Sequence, residues 1–135
     1  MNSNRQAWGL ALIRAVVGLI FLMHGGQKLF VTGIGNVANF LGSLGIPLPG
    51  VAAPILTFVE FFGGLTLLLG LLTRWVALVL AIDMLVAILK VHLAGGFFLP
   101  KGSEFALTLL VVCIGLFLAG GGAPAADNYF RRKNS

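Results

Sequence analysis

Arg14, Glu60 and Asp83 each stand inside a different run of about twenty apolar residues. An ionised side chain at the centre of a bilayer costs roughly 2.5–3.5 kcal/mol on insertion scales, so three unpaired charges would oppose insertion. They must therefore face one another or a wet cavity. Two chemistries meet that constraint. In the first, the planar fork of Arg14 holds both carboxylates, and the trio is an ionic clasp that fixes helix register. In the second, the trio is the polar centre of a pocket between helices, with Glu60 and His24 as catalytic candidates that hand protons to a substrate such as a quinone. Quinone reduction takes up two protons with two electrons, so a carboxylate and a histidine within the membrane suit it.

Helical spacing adds two lysines to this set. Lys28 follows His24 by four residues, and Lys90 follows Asp83 by seven. Snorkelling to the interface is the simpler role for both, as it is for Lys101. At about 1.5 Å per residue, Glu60 and Asp83 fall near the midplane and Arg14 roughly 6 Å to one side. His24 falls about 9 Å to the other side, where His24 and Lys28 would line an outer mouth.

Other chemistries find little support. His24 and His92 are the only histidines, and neither has a cysteine or second histidine at ligand spacing, so no metal site is expected. Cys113 is the single cysteine, which removes any disulfide or paired-thiol redox centre within the chain. There is no phosphate loop and no nucleophile elbow.

The elements that position these groups follow from composition. Of 135 residues, 59% are hydrophobic and 10% charged, and the mean hydropathy is +1.03. That is too little charge to cover a soluble domain of this size, so the lipid bilayer is the solvent. The net charge of +5 sits at the edges of the apolar runs and not in a patch, which argues against nucleic acid. Four spanning helices are expected at about 8–30, 51–72, 74–94 and 104–121, forming one domain over 1–135. The first is read as a retained span and not a cleaved leader, because Arg14 interrupts it. The fold class is all-α: a polytopic four-helix bundle with a short interfacial helix between spans one and two.

That short helix is predicted from Val37, Phe40, Leu41 and Leu44, which recur on one helical face before Gly45, Pro47 and Pro49. Thr73-Arg74 leaves room only for a tight hairpin between spans two and three. Ser103 is the expected N-cap of span four, and Gly120-Gly121-Gly122 with Pro124 its stop. Pairs of small residues, Ala11/Ala15, Ala77/Ala81 and Gly115/Ala119, and Gly63-Gly64 mark faces for close packing. Arg5, Arg74, Arg131, Arg132 and Lys133 collect at one side, so both termini are expected to be cytoplasmic.

In chain order, Arg14, Gly18, Phe21, His24-Gly25 and Lys28-Leu29-Phe30 are followed by Phe40, Leu44-Gly45 and Pro47. Then come Glu60-Phe61-Phe62-Gly63-Gly64, Leu69-Gly70-Leu71-Leu72-Thr73-Arg74, Asp83-Met84, Val91-His92, Glu104 and Gly120-Gly121-Gly122 with Asp127. This series resembles the DoxX family (DoxX/DoxD-like small integral membrane proteins) along nearly the whole chain. The resemblance implies a bacterial or archaeal cell membrane and a four-helix bundle. It implies a subunit that supports a quinone-linked or oxidative- and thiol-stress redox complex, as relatives include a component of thiosulfate:quinone oxidoreductase. No covalent cofactor is implied; quinone is the candidate small molecule. A redox partner protein would then be required, and homo-oligomers are compatible. The alternatives are a non-catalytic scaffold or assembly factor, and a small-solute or lipid transporter.

Overall fold

In hydrocarbon there is no water to take backbone hydrogen bonds, so an apolar chain must close them within itself. A computed structural model, which describes residues 3–123 and 125–134, shows the result. Helix α1, Ser3–Gly26, runs on through a π-helical turn at Gln27–Thr32. Helix α2 is Ile34–Ser43 and α3 is Pro49–Leu69. Helix α4, Thr73–Ala87, continues through a second π-helical turn, Ile88–His92, and a 3₁₀ turn, Leu93–Gly95. Helix α5 is Glu104–Ala119 and α6 is Ala126–Lys133. No strand occurs among the described residues. The stretches 3–32, 49–69 and 73–95 are long and apolar enough to cross a membrane, and α5 is a shorter apolar helix. The expected all-α architecture, with a short helix between the first two spans, is borne out. Pro124 lies outside the described residues.

Helix α1 packs most extensively on α3, and α4 on α5; α1 barely touches α5. Phe21, Leu67, Leu80, Leu116 and Cys113 are fully buried where these pairs meet. Large apolar side chains such as Trp8, Leu12, Ile82 and Val111 point outward, as lipid-facing residues should.

Two glycines set the closeness of α1 and α3. A Cβ on Gly18 would lie 2.5 Å from the Leu68 amide nitrogen and 2.9 Å from the Gly64 carbonyl oxygen. A Cβ on Gly64 would run into the Leu22 amide nitrogen from the other side. The backbones therefore touch, and the register of the antiparallel pair is fixed. Among the small residues expected to pack, Ala77 and Ala81 are buried, but Gly115 has nothing near its Cβ position and Ala119 is exposed. That pair faces outward because α5 meets α4 through Ala106, Leu109, Cys113 and Leu116 instead.

Helix α2 lays Val37 and Leu41 against Ala53 at the start of α3, with Ile34, Ala38 and Leu44 around them. Phe40, expected on that face, is 51% exposed, because the contact is a narrow strip centred on residues four apart. Because α3 begins at Pro49, Pro54 lies inside the helix and not in its first turn. Ser103 does occupy the N-cap position of α5, but its side chain makes no capping hydrogen bond.

Candidate functional site

The buried charges fall into two clusters and not one. In the first, Glu60 stands midway along α3, 3% exposed. The Lys28 ammonium of α1 donates a hydrogen bond to its Oε2 at 2.5 Å. On α4, the Asp83 carboxyl lies within hydrogen-bonding reach of the Glu60 carboxyl and feels the charge of Lys28. Its Oδ2 is buried without a partner. Thr57, one turn before Glu60 and wholly buried, likewise has an unpartnered hydroxyl. Three helices thus bring one ammonium and two carboxyls together in the bundle. Cys113 of α5 is within electrostatic reach of Asp83 on the remaining side.

Lys28 was expected to snorkel. It turns inward because the helix widens from Gln27 to Thr32, and such π-helical turns re-aim side chains at functional sites. Lys90 sits on the second π-helical turn, but it is exposed and stands apart from the cluster. His24 is exposed too, with its ring 6.3 Å from that of Phe105, where α1 and α5 barely meet. The two candidates placed beside each other on α1 therefore diverge: Lys28 meets Glu60, and His24 faces α5. His92 is half-buried near the end of the α4 extension, and Lys101 is exposed.

Arg14 belongs to the second cluster. It is 4% exposed and donates from Nη1 to the Gly121 carbonyl at 2.8 Å. The acid acting on it is Asp127 of α6. Asp127 in turn accepts the amides of Leu72 at 2.8 Å and Thr73 at 3.3 Å, and its own amide donates to the Gly70 carbonyl at 3.1 Å. A distant carboxylate so caps α4, whose N-cap residue, Leu72, has no polar side chain and takes a left-handed φ of 50°. The clasp of Arg14 with Glu60 and Asp83 does not form. The Gly18–Gly64 contact sets Arg14 against Gly70, ten residues along α3 from Glu60, or about 15 Å. The Arg14 Nε and the Thr73 hydroxyl, both near Gly121, are buried without partners. Sequence spacing gave no sign of Asp127 as a cap, since it lies 55 residues beyond Leu72.

An apolar groove of about 450 Å³ runs between α3 and α4, lined by Phe58, Phe62, Gly63, Trp75, Val79 and Leu80 among others. By helical spacing, Asp83 continues the Val79–Leu80 face one turn past the groove. Among the described residues, no three His, Cys, Asp or Glu side chains gather as a metal would require.

A chain from Haemophilus influenzae, an uncharacterized protein, is 35% identical over 128 residues, covering 92% of both chains. A Bacillus subtilis protein, provisionally named as the oxidoreductase CatD, is 34% identical over 129 residues, covering 96% of this chain and 91% of its own. The Escherichia coli inner membrane protein YqjF is 33% identical over 70 residues, about half of each chain (52% and 51%). No solved structure matches significantly. The DoxX family model matches residues 9–93, a stretch that holds Lys28, Glu60 and Asp83 and most of the helices that carry them. The chain is a multi-pass membrane protein and belongs to the DoxX family.

Proposed function

We propose that this chain is the membrane subunit of a quinone-linked redox complex, and that Lys28, Glu60 and Asp83 move protons within it. The observation that carries the reading is the unpartnered Asp83 Oδ2 beside a carboxyl–ammonium pair in the middle of the bundle. Two carboxyls share one lysine, so a single proton held between them makes the cluster neutral. A quinone ring needs hydrogen-bond donors at its carbonyl oxygens, and a protonated carboxyl and an ammonium are suitable donors. The α3–α4 groove, whose Val79–Leu80 end lies one helical turn before Asp83, is apolar, as an isoprenoid tail requires. When bound, the quinone would accept two electrons together with two protons. Asp83 and Glu60 would hold and release a proton, Lys28 would keep Glu60 oriented, and the surrounding apolar residues would exclude water.

Electrons would come from a redox partner protein, because Cys113 is the only thiol and is buried. The provisional oxidoreductase name of the Bacillus subtilis relative supports the redox assignment. The name of the Escherichia coli relative supports a bacterial inner membrane. The basic end, with Arg5, Arg74 and Arg131–Lys133, is proposed to face the cytoplasm.

One observation favours a scaffold instead: the Lys28–Glu60 pair is already complete without a ligand. Asp83→Asn and Glu60→Gln separate the two readings. The proton-site reading expects both variants to stay monodisperse in detergent while losing co-purified quinone and resistance to redox stress. Retention of quinone and resistance by folded variants would refute it, and joint loss of fold and phenotype would favour the scaffold.

A further inference from the structure

We propose that the Lys28–Glu60–Asp83 cluster exchanges protons with one side of the membrane only, the side away from the basic end, by way of the Thr57 hydroxyl. The inference rests on the proton-site reading above and gives it a direction.

Toward the basic end the cluster has a closed floor. Each of the four long helices places a large apolar side chain one or two turns below it: Phe21 on α1, Leu67 on α3, Leu80 on α4 and Leu116 on α5. All four are at most 1% exposed and belong to one packed core. Beside them the Gly64 backbone closes on that of Leu22. A proton finds no polar side chain to step onto among these four, and an excess charge in hydrocarbon is very costly.

The opposite side is built differently. Thr57 lies three residues, about 4.5 Å, beyond Glu60 in that direction and on the same buried face of α3. The hydroxyls of Ser43, Thr66 and Thr108 each donate to a carbonyl three or four residues back, at 2.6, 3.1 and 2.8 Å. That of Thr57, wholly buried, does not, so its hydrogen and its lone pairs stay available for a relay. α1 with its π-helical extension stops at Thr32, one turn past Lys28, so the α1 wall is lowest there. The Lys28 side chain is accordingly 26% exposed although its ammonium reaches Glu60. Beyond the cluster's own members, the titratable group within reach of Asp83 is Cys113 on α5.

In uptake, a hydronium on that side gives its proton to the Thr57 oxygen while the Thr57 hydroxyl passes its own proton to a Glu60 carboxylate oxygen. Water is left behind, Thr57 ends neutral, and the cluster gains one positive charge. Release runs the same steps backwards.

The test reconstitutes the full chain, tagged at its C-terminus, into tight phosphatidylcholine vesicles. Affinity capture sorts vesicles with the basic end outside from those with it inside. Infrared difference spectra then follow the protonated-carboxyl stretch that Asp83→Asn removes, after a step in external pH. The band is expected to respond at once where the basic end is inside, and only after a proton ionophore where it is outside. Thr57→Val, close to isosteric, is expected to slow the prompt response about tenfold, the scale of one lost hydrogen bond, and Thr57→Ser to restore it. The contrast between orientations is read on the unmodified sequence and stands whether or not Thr57→Val folds. A prompt response in both orientations, or only with the basic end outside, would overturn the route and leave the proton-site reading standing. So would an unchanged rate in folded Thr57→Val protein. A band that ignores pH in both orientations, ionophore included, would overturn the proton-site reading and the route with it.

Discussion

Lys28 and Glu60 form the one ion pair between side chains among the described residues, at 2.5 Å across the α1–α3 contact. Removing one partner strands the other in a low-dielectric interior. Lys28→Met should therefore destabilise the protein by about 1–3 kcal/mol, less than for a fully enclosed pair because the lysine side chain is 26% exposed. The double variant Lys28→Met/Glu60→Leu should recover much of the loss. Denaturant unfolding of the four proteins of this cycle gives the coupling directly, and simple additivity would show that the pair carries no energy.

The Gly18–Gly64 contact leads to a steeper expectation. Gly64→Val forces a branched side chain against the Leu22 backbone and should separate α1 from α3. Overpacking of this kind costs about 1–3 kcal/mol or more, and the closed backbones leave little room to relax. Gly115→Ala faces open space and should be neutral or slightly stabilising. Size-exclusion profiles of the two variants, expressed side by side, check the contrast.

The Asp127 cap can be read amide by amide. Asp127→Ala should cost about 1–2 kcal/mol, the scale of a lost helix cap. Hydrogen exchange should rise at Leu72 and Thr73, whose amides Asp127 holds, and stay unchanged at the start of α5. Equal exchange in both proteins would remove Asp127 from the role.

Cys113 is fully buried, so a maleimide should fail to label the folded protein while labelling it readily once denatured in SDS. A folded-state rate within about tenfold of the denatured rate would mean that the α4–α5 contact opens often.

Much of the helical plan was legible from the residues themselves. Apolar runs, Gly70 and Thr73-Arg74, and the prolines at 47 and 49 located the helices and the α3–α4 hairpin, because such signals act within a few residues. The membership of the polar clusters was legible only in part. Glu60 and Asp83 were expected to meet and do. Arg14 was expected with them and lies elsewhere, because depth was counted from assumed span centres. The actual register is set by Gly18 against Gly64, a contact between residues 46 positions apart whose sequence gives no pairing signal. Lys28 was expected among the polar residues but at the outer mouth, snorkelling; its turn toward Glu60 was not legible, because a π-helical turn shifts the face on which a residue stands and ideal helical spacing does not foresee it.

The cap supplied by Asp127 has a consequence for biosynthesis. The α3–α4 turn is made long before the residue that completes it, since Leu72 precedes Asp127 by 55 positions. During translation the hairpin must wait in the bilayer with its turn amides served by water or by the insertion machinery. Only when α6 emerges do the Leu72 and Thr73 amides acquire their permanent acceptor. At that moment Arg14 gains both the Gly121 carbonyl and the Asp127 charge, so the first and last helices of the chain lock together in one late assembly step.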